Sequence, residues 1–353
     1  MREGRGRLAL RIILLAAVYF AAGKAGLLLP IVQGNITLLW APSGIALAAV
    51  LAFGPGVWPG IALGAFLVNW STGAPLAAYL GIAVGNTLEA LAGGGLLLRS
   101  GFEPSLRRGR DVLALLAFGV AVGPLFGAAF GVSSLVATGL LPAEKAFTAG
   151  AYWWLGDAAG ILLVTPVLLT WRTLPRRPWP GARVLEAAAL GFCLVAASVL
   201  MLSFWIGSGI PHPPLSSILF PFLVWAALRF GPRGAATATL AAMGIAIWAT
   251  VNGLTPFIQG TMEERLIYLH SYMAIAAVTS LLLAAIFAER RRAEDEIRAS
   301  EERLRLALDA GRCGVWDWEI QSGRLTWSER VFEIHGVSRE GFRGRFEDFN
   351  RLV

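Results

Sequence analysis

Leu281-Leu282-Leu283-Ala284-Ala285-Ile286-Phe287-Ala288 runs straight into Glu289-Arg290-Arg291-Arg292-Ala293-Glu294-Asp295-Glu296, with neither Pro nor Gly at the junction. An apolar octet gives way to one in which every residue but Ala293 is charged. One helix can therefore carry the chain out of a hydrocarbon solvent and into water. Working outward in both directions, charges are sparse from Ile12 to Phe287 and dense from Glu289 onward. Over all 353 residues only 15% are charged and 56% are hydrophobic, against about 25% charged in a soluble domain. The pattern predicts an all-α integral membrane helix bundle over residues 1–288, a helical linker over 289–310 and a soluble segment over 311–353.

The net charge of +7 does not point to nucleic acid, because the basic residues lie between apolar spans, where membrane topology accounts for them. Cys193 and Cys313 are far apart and suggest neither a disulfide framework nor a metal site. The apolar N-terminus reads as a first membrane helix. No small-residue cleavage site follows it.

A spanning helix needs about 20 apolar residues. Candidates run over 12–29, 36–53, 57–71, 75–98, 111–138, 147–171, 184–207, 215–230, 234–252 and 266–288. Segments 57–71 and 215–230 run short, and each with its neighbour can form a re-entrant hairpin, so the expectation is about 8–10 spans. The basic clusters are Arg2/Arg5/Arg7/Arg11, Arg99/Arg107/Arg108/Arg110, Arg172/Arg176/Arg177/Arg183, Arg229/Arg233 and Arg290–Arg292. An even number of segments separates each cluster from the next. All of them can then face the cytoplasm, as the positive-inside rule requires. Both termini are expected there, with the loops at 30–35, 72–74, 139–146, 208–214 and 253–265 outside.

Phe53-Gly54-Pro55-Gly56 and Phe230-Gly231-Pro232-Arg233-Gly234 occupy equivalent turns. Shared turn chemistry explains this, and so does a duplicated helical unit. Glu89 and Asp157 lie well inside apolar segments, and Asn86 shares a helix face with Glu89. A mid-bilayer carboxylate costs about 2.5–3.5 kcal/mol, so such groups turn to a bundle interior. The three are expected to form one interior polar site, with Trp153 and Trp154 as candidate walls. Hydrogen-bonded structural glue, a ligand or ion site, and a proton relay are all open roles. Lys24 is a candidate counter-charge, or a side chain reaching back to the interface. His212, in Ile210-Pro211-His212-Pro213-Pro214, reads as a solvated loop residue. His270 reads as a packing or interface residue. No catalytic set, metal site or cofactor is evident.

Five motifs occur in order: Asn35-Ile36-Thr37-Leu38-Leu39-Trp40-Ala41-Pro42-Ser43-Gly44, Trp58-Pro59-Gly60-Ile61, Gly85-Asn86-Thr87-Leu88-Glu89-Ala90, Trp153-Trp154-Leu155-Gly156-Asp157-Ala158 through Thr165-Pro166, and Phe220-Pro221 through Gly234. Over residues 8–290 they resemble the membrane-associated sensor (MASE, type one) domain. The resemblance implies a bacterial inner-membrane sensory domain, of the kind that heads histidine kinases and cyclic-di-GMP enzymes. It assigns no binding residues, although Glu89 and Asp157 fall within its motifs.

Past the junction, Ile297 and Leu304 at heptad position a, with Ala293, Ser300 and Ala307 at d, make a short stripe. Glu294/Arg298 and Glu301/Arg305 are i,i+4 pairs in the favourable order. A single solvated helix fits, and a parallel dimer through 287–310 fits better. Gly311 and Gly314 end it. Val315-Trp316-Asp317-Trp318-Glu319-Ile320 alternates as a half-buried strand. Gln321–Arg324 turns, Leu325-Thr326-Trp327 returns, and Ser328 is expected to cap a helix from Glu329 to His335 that stops at Gly336. This helix–hairpin–helix order resembles the opening half of a PAS domain, so residues 311–353 are not expected to fold stably alone.

Taken together, these residues read as the input module of a bacterial inner-membrane sensor. It would sense a small molecule or a membrane state and have no catalytic activity of its own. The resemblance implies an output further along the gene product, a histidine kinase first and a cyclic-di-GMP enzyme second. The rival reading is a secondary transporter or permease, which broken helices and buried acids also suit.

Overall fold

The computed structural model describes residues 2–28, 30–32, 36–37, 39–172, 179–208, 218–252 and 262–352. His212 and its Pro-rich loop, Arg176, Arg177 and Asn35 lie outside these, as does most of the loop at 253–265. The chain forms two compact units, Met1–Glu289 and Arg290–Val353.

The first unit is helical. Its elements are α1 (Arg2–Leu27), α2 (Ala41–Phe53), α3 (Trp58–Trp70), α4 (Leu76–Arg99), α5 (Gly109–Ala114), α6 (Gly123–Ala137), α7 (Ala146–Trp171), α8 (Gly181–Ser208), α9 (Phe220–Val251) and the apolar part of α10 (Met262–Ala310). Between α1 and α2 a small antiparallel pair, β1 (Pro30–Val32) and β2 (Ile36–Thr37), occupies part of what the hydropathy assigns to an outer loop and the following span. The helix predicted over 36–53 therefore begins only at Ala41, where Pro42 supplies the fixed φ that suits a first turn. Six helices among the described residues are long and apolar enough to cross a membrane: Arg5–Leu27, Leu76–Arg99, Gly109–Ala137, Ala143–Trp171, Gly181–Leu200 and Ile267–Ala310. The other four predicted segments are the two pairs flagged as candidate hairpins.

Each of those pairs turns on its Phe-Gly-Pro motif. Gly54 has φ 87 and ψ 169, and Gly231 has φ 63 and ψ −156. Both fall in a backbone region that is essentially reserved for glycine. The two motifs thus share a corner conformation as well as a sequence. Among the described residues no neighbour lies within 4 Å of a Cβ built on either glycine, so alanine there would be penalised through the backbone alone. Gly54→Ala and Gly231→Ala are each expected to destabilise the bundle by about 1–3 kcal/mol. Gly56→Ala, equally open but without the positive φ, serves as the neutral control. Thermal unfolding of the three variants would show it, and equal melting points would refute the claim.

Both corners lie at the end of the bundle that carries the arginine clusters. Arg11 and Arg172 sit over the Phe53 ring at 4.8 and 5.9 Å. Arg233 donates to the Thr170 carbonyl at 3.0 Å, and Trp171 to Thr237 at 2.8 Å. Arg229 makes a two-bond fork to Glu186 at 2.5 and 2.8 Å. Lys24 belongs to the opposite end, where its Nζ donates to Ser71 at 3.1 Å on the exposed rim. It is not the counter-charge of the buried acids.

Glycine lets the helices approach closely, as small residues do in membrane bundles. Gly60 and Gly64 of α3 receive Ile12 and Tyr19 of α1. Gly81 and Gly85 of α4 receive Ser134 and Phe130 of α6. Between α5 and α6 the chain passes through a π-helical stretch, Leu115–Val122, where the Gly123 N–H reaches back to the Phe118 carbonyl. Pro124 follows and brings no N–H to that turn.

In the second unit the helix ends at Ala310, and the predicted hairpin forms. β3 (Trp316–Glu319) pairs with β4 (Arg324–Trp327), setting Trp316 opposite Trp327. α11 (Glu329–His335) stops at Gly336 in the left-handed conformation, φ 66, and α12 (Phe346–Leu352) follows. The Ser322 hydroxyl and the Arg324 guanidinium hold the Glu319 carboxyl below its usual range at the turn. Two details differ from the sequence reading. Ser328 stands at the N-cap position, but its hydroxyl accepts the Val315 N–H at 2.9 Å and ties the helix start to β3. β3 is exposed along its length, whereas β4 alternates and buries Leu325 and Trp327. The cluster of Leu325, Trp327, Val331 and Phe332, with Phe342 and Phe349 against it, packs on β4.

Candidate functional site

The polar site is built where α2 begins. The Trp40 N–H donates to the Gly156 carbonyl at 3.0 Å. Gly156 lies well inside α7, so the first turn of α2 starts in the bundle interior. Two glycines make the approach feasible. A Cβ at Gly160 would lie 2.0 Å from the Trp40 carbonyl oxygen, and one at Gly44 would lie 2.3 Å from the Gly160 carbonyl oxygen. The Thr165 hydroxyl closes the seam by donating to the Gly44 carbonyl at 3.0 Å.

Against that turn stand the buried acids. The Ser43 hydroxyl donates to Asp157 Oδ1 at 3.0 Å. Asn86 Nδ2 donates to the Tyr19 hydroxyl at 2.9 Å. Glu89 is one turn along α4 from Asn86. Its Oε2 would lie 2.6 Å from a Cβ on Gly127, and Asp157 Oδ2 would lie 3.0 Å from the same atom. The two carboxyl groups therefore converge on the bare backbone of α6. Asn86, Glu89 and Asp157 are 3%, 2% and 1% exposed. The structure brings the three together from α4 and α7, adds Tyr19 from α1 and Ser43 from α2, and places no ion-pair partner on either acid among the described residues. The first turn of α2 presents the positive end of its dipole here, which favours negative charge.

A cavity of about 90 Å³ reaches the site from the end opposite the arginines. Thr72, Ala74 and Leu140 line its outer part, Trp40, Tyr152 and Trp153 its walls, and Asn86 and Asp157 its depth. Trp153 packs flat on Gly131, where a Cβ would meet its ring at 2.6 Å. Trp154 goes elsewhere. Its indole donates to the Ala121 carbonyl in the π-helical stretch at 2.9 Å, and it lines a separate shallow groove with Leu125 and Phe147. Adjacent residues on a helix point about 100° apart, and here Trp153 turns to the cavity while Trp154 turns to the π-helical stretch.

Tyr19 and Ser43 carry no sequence signal of this role. Tyr19 reads as an ordinary aromatic in an apolar helix, and Ser43 as a helix-start residue. Their partners are 67 and 114 positions away.

Among curated proteins, the chain is 35% identical over 49 residues to "Probable diguanylate cyclase DgcE" of Escherichia coli (strain K12). That stretch is 14% of this chain and 4% of the relative. It is 36% identical over 56 residues to "Hybrid signal transduction histidine kinase A" of Dictyostelium discoideum, 16% of this chain and 3% of that protein. The matches thus span only small fractions of these relatives. No solved structure matches the chain. The MASE1 family model matches residues 10–291, which include the whole polar site and all six membrane-length helices but for the first residues of α1 and the charged end of α10. The chain belongs to the MASE1 family of membrane-associated sensor domains.

Proposed function

We propose that this protein is the signal-input module of a bacterial inner-membrane sensor with both termini in the cytoplasm. α10 would relay the state of the bundle to a PAS-type segment and then to an output domain. The observation that carries the reading is α10 itself, a helix of 49 residues from Met262 to Ala310 whose first part is apolar and whose last part is charged. The charged part is braced by Arg290–Glu294 and Arg292–Glu296 pairs, both 2.9 Å. Such exposed pairs add only about 0.3–0.5 kcal/mol each, so the helix can transmit small shifts without being locked. Ile297 and Leu304 are 59% and 61% exposed, and burying them between two copies of α10 supports a parallel dimer. The output is a histidine kinase in the first instance and a cyclic-di-GMP enzyme in the second. The two relatives carry those activities in their names.

The test is a chimera of residues 1–353 placed ahead of a diguanylate cyclase domain, with one to seven residues inserted after Arg298. Output is expected to vary with insert length and to recover near seven, because a helical dimer returns to register about every 3.5 residues. Output independent of insert length would refute the relay. A reporter fused after Arg292 that is active only outside the cytoplasm would refute the orientation.

A further inference from the structure

Among the described residues, four buried polar atoms at the site have no hydrogen-bond partner: Asn86 Oδ1, both oxygens of Glu89, and Asp157 Oδ2. Asn86 Oδ1 accepts only, and so does every carboxyl oxygen that carries no proton. Burying an acceptor without a donor is costly, and two neighbouring carboxyl groups in the membrane interior need positive charge beside them. A single proton shared between Glu89 and Asp157 would serve at most one oxygen of each. It would leave Asn86 Oδ1 unanswered at the depth of the cavity. A cation with more than one N–H donor would answer Asn86 Oδ1 and offset the two carboxyl groups together.

The walls narrow the choice. Trp40, Tyr152 and Trp153 flank the same cavity. Aromatic faces suit an organic cation and its alkyl stem better than a hydrated metal ion. Among the described residues no group of three or more His, Cys, Asp or Glu side chains is placed to hold a metal.

We infer that the cavity between α3, α4 and α7, with Trp40 at the entry to α2, binds a small primary ammonium ion, its N–H groups shared by Asn86 Oδ1 and Asp157 Oδ2, with Glu89 supplying the second negative charge. The assignment rests on reading this cavity as the stimulus site of the module. Entry is from the Thr72–Leu140 end.

The experiment uses the whole chain in lipid nanodiscs, titrated with n-propylammonium chloride by calorimetry. n-Propanol, tetramethylammonium chloride and sodium chloride are the comparisons. Saturable binding of n-propylammonium is expected. Tetramethylammonium, which has charge but no N–H, is expected to bind about tenfold or more weakly, as are all ligands to Asp157→Asn and Glu89→Gln. Thr72→Trp changes only an exposed residue at the mouth and should weaken or slow binding without touching the acids, which keeps the test sound should an acid variant misfold. Absence of saturable binding overturns the inference. So does equal affinity for tetramethylammonium, or affinity unchanged in well-folded Asp157→Asn. In the cyclase chimera, binding that leaves output unchanged sinks the sensory reading but keeps the ammonium site. An Asp157→Asn effect on output without any ammonium binding does the reverse.

Discussion

Gly160→Ala is expected to cost about 3 kcal/mol, the upper end of what overpacking exacts, and to dismantle the polar site with it. The added methyl would sit 2.0 Å from the Trp40 carbonyl oxygen and 2.6 Å from its carbon. Both are backbone atoms and cannot rotate aside. Relief requires α2 to back away from α7, which breaks the Trp40–Gly156 and Thr165–Gly44 bonds and draws Ser43 off Asp157. Gly150→Ala on the same helix is the control. Among the described residues its methyl would meet only Val132, at 3.8 Å, and the change should be neutral or gain about 0.5–1 kcal/mol of helix propensity. Thermal unfolding of the two variants in detergent decides it. If Gly160→Ala melts with the parent protein, the seam is not as tight as described.

Trp327→Ala is expected to unfold the hairpin unit, at a cost of about 3–5 kcal/mol. Trp327 is 8% exposed and packs its ring on Phe342 at 4.8 Å, Phe332 at 5.2 Å and His335 at 5.4 Å. The cluster has few other members, so nothing can close over the gap. Trp316, opposite it on β3, is 61% exposed, and Trp316→Ala should be nearly silent. Limited proteolysis reads the difference. New cuts between residues 311 and 352 in Trp327→Ala alone are expected, and identical digests of the two variants would contradict it.

Much of this architecture is legible in the residues. Long apolar runs locate the six membrane-length helices because the bilayer imposes length and composition together. The alternation of Trp316 to Glu319, the Ser322-Gly323 turn and the stop at Gly336 locate the hairpin and α11 because turn chemistry is local. Asn86 and Glu89 are found as a pair because three residues on a helix make neighbours. The start of α2 is less visible. Ile36 to Trp40 are as apolar as a span, and only Pro42 marks the true first turn. Tyr19, Ser43, Gly44, Gly127 and Gly160 are not legible, because what defines them is a neighbour a long way off in the chain. The exposure of β3 is likewise invisible in its alternation, which specifies two faces but not whether either is covered.

The shortness of α2 and α3 bears on how the protein is made. At 13 residues each, they are about 20 Å long, well short of a hydrocarbon core of about 30 Å. Neither can settle in a bilayer as an independent unit during synthesis, whereas α1, α4 and α7 each can. The pair has to wait for docking surfaces on those three helices. Since Ser43 travels with α2, and Asn86, Glu89 and Asp157 arrive on helices that insert by themselves, the acids enter the membrane before their roof does. The polar site is therefore expected to close only after α7 has inserted.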